Sequence, residues 1–167
     1  HELTPVMLLC THQHFDHVWG AAFVLRQWPH IKAYGNRIDF EKLPLPSEQL
    51  KGYGIPLPLE DVPMERYTLV QQDDLIRLGG EELRVLFVPG HAPGHIAFYA
   101  GESDILLSGD TLLQGTIGRT DFWYGDYDQL VEAIKSQYMT LPDETIVFSG
   151  HGPETTIGFE RRKNPFL

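Results

Sequence analysis

Apolar and polar positions follow a small number of rhythms along this chain. Pro5 to Cys10 is a short continuous apolar run without the length of a helix, which predicts a strand buried on both faces that ends in a loop at Thr11. From Asp16 to Trp28 the apolar residues Val18, Ala21, Ala22, Val24, Leu25 and Trp28 recur at helical spacing, and Pro29 stops the pattern. Ile31 to Tyr34 predicts a returning strand, closing a unit of strand, helix and strand. Between Leu43 and Pro63 the density of Pro44, Pro46, Pro56, Pro58 and Pro63 forbids a long helix or a central strand. That region reads as a surface excursion with the character of a flap.

Farther on, Asp74 to Leu78 and Glu82 to Val88 alternate on either side of Gly79-Gly80, a two-residue hairpin signal. Strands are predicted at His95 to Tyr99, Ile105 to Leu107 and Ile146 to Phe148. Tyr127 to Met139 places Leu130, Val131, Ile134 and Tyr138 on one face of a helix. Hairpins combined with strand-helix-strand units indicate an α/β sandwich in which helices cover sheets.

Composition narrows this picture. A chain of 167 residues suits one folding unit with a sizeable core, and 42% hydrophobic with 22% charged residues is ordinary for a globular protein. The net charge of -10 disfavours nucleic acid and anionic membrane as partners, because both are bound through Lys and Arg. Much of the acidity lies between Glu41 and Glu82 and reads as a solvated face. Cys10 is the single cysteine, so no internal disulfide can form, and its apolar setting predicts a small buried hydrophobe. No signal peptide and no membrane-spanning apolar stretch are seen in the sequence, which makes the cytoplasm the expected location.

The strongest chemical signal is Thr11-His12-Gln13-His14-Phe15-Asp16-His17, with three imidazoles and a carboxylate in six positions directly after an apolar strand. Imidazole nitrogen and carboxylate oxygen are zinc ligands, and alternate residues of an extended loop point to one side, so His12 and His14 can share one ion. Asp16 and His17 fall where the helix starts and leave in another direction, which makes a second ion the natural consequence. Further candidates follow other predicted strands, each beside glycine: His91 in Pro89-Gly90-His91, Asp110 in Ser108-Gly109-Asp110 and His151 in Gly150-His151-Gly152. His95 opens the next strand and is left outside the ligand set. His1 and His30 have no motif around them.

These strings resemble the metallo-β-lactamase superfamily. Pro89-Gly90-His91-x-x-Gly94-His95 and Ser108-Gly109-Asp110-Thr111 are similar to its glyoxalase II (hydroxyacylglutathione hydrolase) branch. Thr116-Ile117-Gly118-Arg119-Thr120-Asp121-Phe122 and the ending Gly150-His151-Gly152-Pro153-Glu154-Thr155-Thr156 with Asn164-Pro165-Phe166-Leu167 resemble the short bacterial members. The resemblance implies an αββα sandwich with two zinc ions, iron or manganese being alternatives. It places one ion on His12, His14 and His91 and another on Asp16, His17 and His151, with Asp110 bridging. Family members carry strands ahead of the histidine motif, so the domain over 1–167 is expected to be N-terminally incomplete.

The implied reaction is hydrolysis of a small acylthiol such as S-lactoylglutathione by a metal-bridging hydroxide, with Asp16 and Asp110 as the catalytic carboxylates. A thiolate leaves with little need for protonation, which suits a site lacking a further general acid. Arg119 is a candidate contact for an anionic substrate, with pairing to Asp121 as the equal alternative. Trp123 and Tyr124 are candidates for a pocket wall or for packing, and Arg161-Arg162-Lys163 reads as a solvated helix end. Competing functions are a mononuclear iron persulfide dioxygenase, which the Gly118 to Phe122 string also resembles, a hydrolase of another ester, lactone or phosphodiester, and a non-catalytic binding module.

Overall fold

The apolar run after Pro5 forms strand β1 (Met7–Leu9), and the returning segment forms β2 (Lys32–Gly35), parallel to it with Leu8 opposite Ala33. A parallel pair requires a crossover, and two short helices supply it, α1 (Phe15–Val18) and α2 (Ala21–Gln27). The single predicted helix is therefore broken at Trp19-Gly20. Glycine is the weakest helix former after proline, and Gly20 acts as the cap of α2, its carbonyl accepting the Val24 N–H at 2.9 Å. A third parallel strand, β3 (Tyr67–Leu69), pairs with β2. In the computed structural model residues 3–167 are described, so His1 lies outside the description.

β1 is half-buried along its length, which corrects the expectation of a strand covered on both faces. Among the described residues it pairs only with β2, and Val6 beside it is 61% exposed. The proline-rich stretch also differs from a plain surface excursion. It follows α3 (Arg37–Lys42) and contains α4 (Pro46–Gly52), with Pro46 in the first turn, where its missing N–H breaks no helical bond. Leu43 and Leu50 are buried and anchor the segment. Cys10, Val18, Ala21, Leu25, Ile31, Ala33 and Tyr67 form the core of this first compact unit, His1–Val70. His30 is exposed.

The second compact unit, Gln71–Leu167, is built on a six-stranded sheet in the order β11-β10-β7-β6-β5-β4. The predicted hairpin is β4 (Leu75–Leu78) with β5 (Glu81–Phe87), Leu78 facing Glu81 across a turn in which Gly79 has φ +63. β6 (Ile96–Ala100) and β7 (Ile105–Gly109) continue antiparallel, whereas β10 (Ile146–Ser149) pairs in parallel with β7. Strands too short to leave a periodic signature complete the unit: β8 (Leu112–Leu113) with β9 (Thr116–Ile117), and β11 (Thr155–Thr156) on β10.

Helix α5 (Tyr127–Gln137) begins where the Asp126 carboxylate accepts the Gln129 N–H, and it buries Leu130 and Ile134, with Tyr138 just beyond it. α6 (Ile157–Lys163) carries Glu160, a fully buried carboxylate that is stabilised by donors from Gly115 N, Thr155 Oγ1 and Asn164 Nδ2. The basic run is the last turn of α6. Arg161 is not merely solvated, since it donates to the carbonyls of Met139 and Leu141, and Asp143 pairs with both Arg161 and Arg162. Among the described residues no helix is long and apolar enough to cross a membrane.

Two outcomes follow from this packing. Burial pushes the Cys10 thiol up to about 11, against a smaller opposing effect of the Tyr67 hydroxyl. At pH 8 a chromogenic disulfide reagent is expected to label Cys10 only after denaturant is added; fast labelling of the native protein would contradict the assigned burial. Thr111 Oγ1 uses its proton on the Ser108 carbonyl, so the Tyr138 hydroxyl 2.8 Å away is the donor between the two side chains. Tyr138→Phe should cost about 1 kcal/mol in urea unfolding.

Candidate metal centre

In the first unit the last ladder bond before the histidine-rich loop is Cys10 N–H to the Tyr34 carbonyl at 3.0 Å, and α1 begins at Phe15. His12 and His14, both buried, lie between these two regular elements. Their rings meet edge to face with centroids 4.5 Å apart, and the His17 ring stands 4.1 Å from that of His12. His17 lies in the single tight turn that opens α1, beside His12 and next to Asp16. Thr11 Oγ1 lies 3.1 Å from His12 Nδ1, which engages one ring nitrogen and orients the other. His17 Nε2 is 3.7 Å from Asp16 Oδ2, and that carboxylate is 41% exposed.

The loop's backbone is held by side chains remote in sequence. Asp39 Oδ2 accepts the Gln13 N–H at 3.0 Å, Gln49 Nε2 donates to the Gln13 carbonyl at 2.9 Å, and Gln49 Oε1 accepts the Phe15 N–H at 3.2 Å. Sequence reasoning missed both residues, since neither sits in a motif.

In the second unit the Asp110 carboxylate lies between two imidazoles, with Oδ2 3.8 Å from His91 Nε2 and 3.4 Å from His151 Nε2. Both separations are longer than a well-formed hydrogen bond. They match two ligands on one ion, since donors at about 2.1 Å in a tetrahedral shell stand roughly 3.4 Å apart. His91 Nδ1 donates to the Arg119 carbonyl at 2.8 Å, which leaves Nε2 as the ring nitrogen that could take a metal ion. His95, with no exposure, accepts the Asp110 backbone N–H through Nε2 at 3.1 Å, so that nitrogen serves the Asp110 turn. The Gly150 N–H to Gly109 carbonyl bond of 2.8 Å ties the His151 loop to the same turn.

Glycine is required at two places here. A Cβ on Gly118 would stand 1.8 Å from the Asp110 carbonyl oxygen, and one on Gly90, which has φ +130, would stand 2.5 Å from Leu130 Cβ. Arg119 forms a two-pronged pair with Asp121 at 2.7 and 2.9 Å, over the Phe122 ring, and its guanidinium holds the Asp121 carboxyl below its ordinary range. Tyr124 stacks on Phe122, whereas Trp123 is 79% exposed. The donor set of each unit, imidazole nitrogen with carboxylate oxygen, suits zinc or iron.

The profile of the metallo-beta-lactamase superfamily matches residues 3–151. A Haemophilus influenzae protein named hydroxyacylglutathione hydrolase GloC is 41% identical over 170 residues, spanning 99% of this chain and 77% of that protein. The solved structure of TTHA1623 in a di-iron-bound form is similar with a TM-score of 0.86 at 36% identity, over 99% of this chain and 79% of that one. That of BLEG-1 B3 metallo-beta-lactamase has a TM-score of 0.88 at 36% identity, over 99% and 78%. With its mixed α/β fold and its clustered histidine and aspartate donors, this chain belongs to the metallo-β-lactamase superfamily as a metallohydrolase.

Proposed function

We propose that this protein hydrolyses a small acylthiol of the S-lactoylglutathione type with two metal ions. His12, His14 and His91 would hold one ion, Asp16, His17 and His151 the other, and Asp110 both. The observation that carries the metal reading is the Asp110 carboxylate beside the His91 and His151 nitrogens, and the count of two ions rests on the likeness to the structure of TTHA1623 in a di-iron-bound form. The choice of a thioester rests on the likeness to the Haemophilus influenzae protein and its name. When bound, the ions supply Lewis acidity for the carbonyl and lower the pKa of water; zinc is the first choice, and iron the second.

The chain's own residues supply orientation. His95 and the Arg119 carbonyl aim Asp110 and His91, so the donors need little rearrangement. Asp16 is more exposed than Asp110, which supports it as the carboxylate that would accept a proton at the solvent side. No acid is required for the leaving group, because a thiolate departs unprotonated. Arg119 meets the carboxylates of an anionic acylthiol by exchanging them for Asp121; that pair is exposed, so the exchange costs little. The substrate is small and free in a cytoplasmic setting.

Protein purified without added metal and assayed for zinc, iron, S-lactoylglutathione hydrolysis and glutathione-persulfide-dependent oxygen uptake tests the reading. Two ions per chain with thioester turnover are expected. One iron per chain with oxygen uptake and no turnover would replace the hydrolase by a persulfide dioxygenase. His12→Ala and Asp110→Ala should each lower turnover by two orders of magnitude or more and reduce bound metal. His95→Ala should retain most metal while losing roughly 10–100-fold in activity; complete metal loss in that variant would make His95 a ligand.

A further inference from the structure

We infer that Asp39 and Gln49 are positioning residues for the histidine-rich loop and set how tightly it holds metal, an inference that rests on the metal reading of that loop. Three successive peptide groups are clamped. The Gln13 N–H belongs to the peptide joining His12 to Gln13 and ends on Asp39 Oδ2. The Gln13 carbonyl belongs to the next peptide and ends on Gln49 Nε2, and the Phe15 N–H belongs to the one after and ends on Gln49 Oε1.

The last two planes define both backbone dihedrals of His14, which has φ -72 and ψ 145, and the first orients the backbone leaving His12. The His14 carbonyl also accepts the His17 and Val18 N–H at 3.0 and 3.2 Å, so the start of α1 shares the third peptide with Gln49, while Asp39 and Gln49 hold the two before it. Gln49 Nε2 also donates to the Pro44 carbonyl at 2.8 Å, so the amide is itself fixed while it holds the loop. Asp39 is 1% exposed on the short helix α3. A buried carboxylate is a costly filler compared with an apolar side chain, which points to a role in the loop it holds rather than in packing alone. Loosening these planes lets the imidazoles swing away from a common point, and the loss appears in metal affinity.

The test titrates the whole chain, freed of metal, with cobalt(II) alone, reading affinity by competition with a chromophoric chelator and geometry from the cobalt absorption bands. Melting of the metal-free protein reports the fold separately. Asp39→Ala and Gln49→Ala are expected to bind cobalt 10–100-fold more weakly with altered bands and an unchanged metal-free melt. Asp39→Asn, whose amide oxygen still accepts the Gln13 N–H, should recover affinity to within a few-fold of the parent. Unchanged affinity and bands in both alanine variants would overturn the inference. So would an Asp39→Asn variant as weak as Asp39→Ala. If Asp39→Ala does not fold, the half-buried Gln49→Ala decides by the same criteria. A parent protein that binds no cobalt tells against the metal reading itself. One that binds cobalt without cleaving S-lactoylglutathione tells against the thioester alone.

Discussion

A backbone that leaves a sheet to present metal donors gives up its ladder partners, and each buried N–H and carbonyl must find another. That constraint shapes both units. In the first, the loop after β1 is held through Asp39 and Gln49, reaching it from α3 and α4. In the second, the turn after β7 is held by His95 on the Asp110 N–H, by the Thr111 hydroxyl on the Ser108 carbonyl, and by the Gly118 N–H on the Thr111 carbonyl at 2.9 Å. Donors presented on loops acquire through these bonds the rigidity that a helix or strand would otherwise give them.

The same economy explains the segment from Gly118 to Phe122. Its backbone passes so close to Asp110 and His91 that only glycine fits at 118, and the next carbonyl then aims the His91 ring. The Arg119 side chain meanwhile faces outward onto Asp121, so one residue orients a ring through its backbone and keeps a paired charge at the surface. Behind this layer the buried Glu160 gathers Gly115, Thr155 and Asn164, fixing the β8-β9 turn to α6. The buried Glu160 is thus satisfied rather than excluded, and its geometry is specific where apolar packing would be permissive.

By itself the sequence determined the candidate metal donors and much of the local structure. His12 to His17 announce a candidate metal loop because donors close in sequence are close in space, and Gly79-Gly80 announces a hairpin because a two-residue turn is a local event. The helix at Tyr127 was legible from its apolar spacing. What escaped was decided at a distance. An apolar run at β1 reads the same whether one face or both are covered, and the strand's partners alone leave it half-buried. The break at Gly20 and the helix starting at Pro46 depend on caps and on burial of Leu50, which periodicity does not register. Asp39 and Gln49 lie 26 and 36 residues from the Gln13 peptide groups they hold, and His91 is oriented by a carbonyl 28 residues on. Side-chain identity names the donors, but their aim is set by backbone hydrogen bonds between residues that only the folded chain brings together.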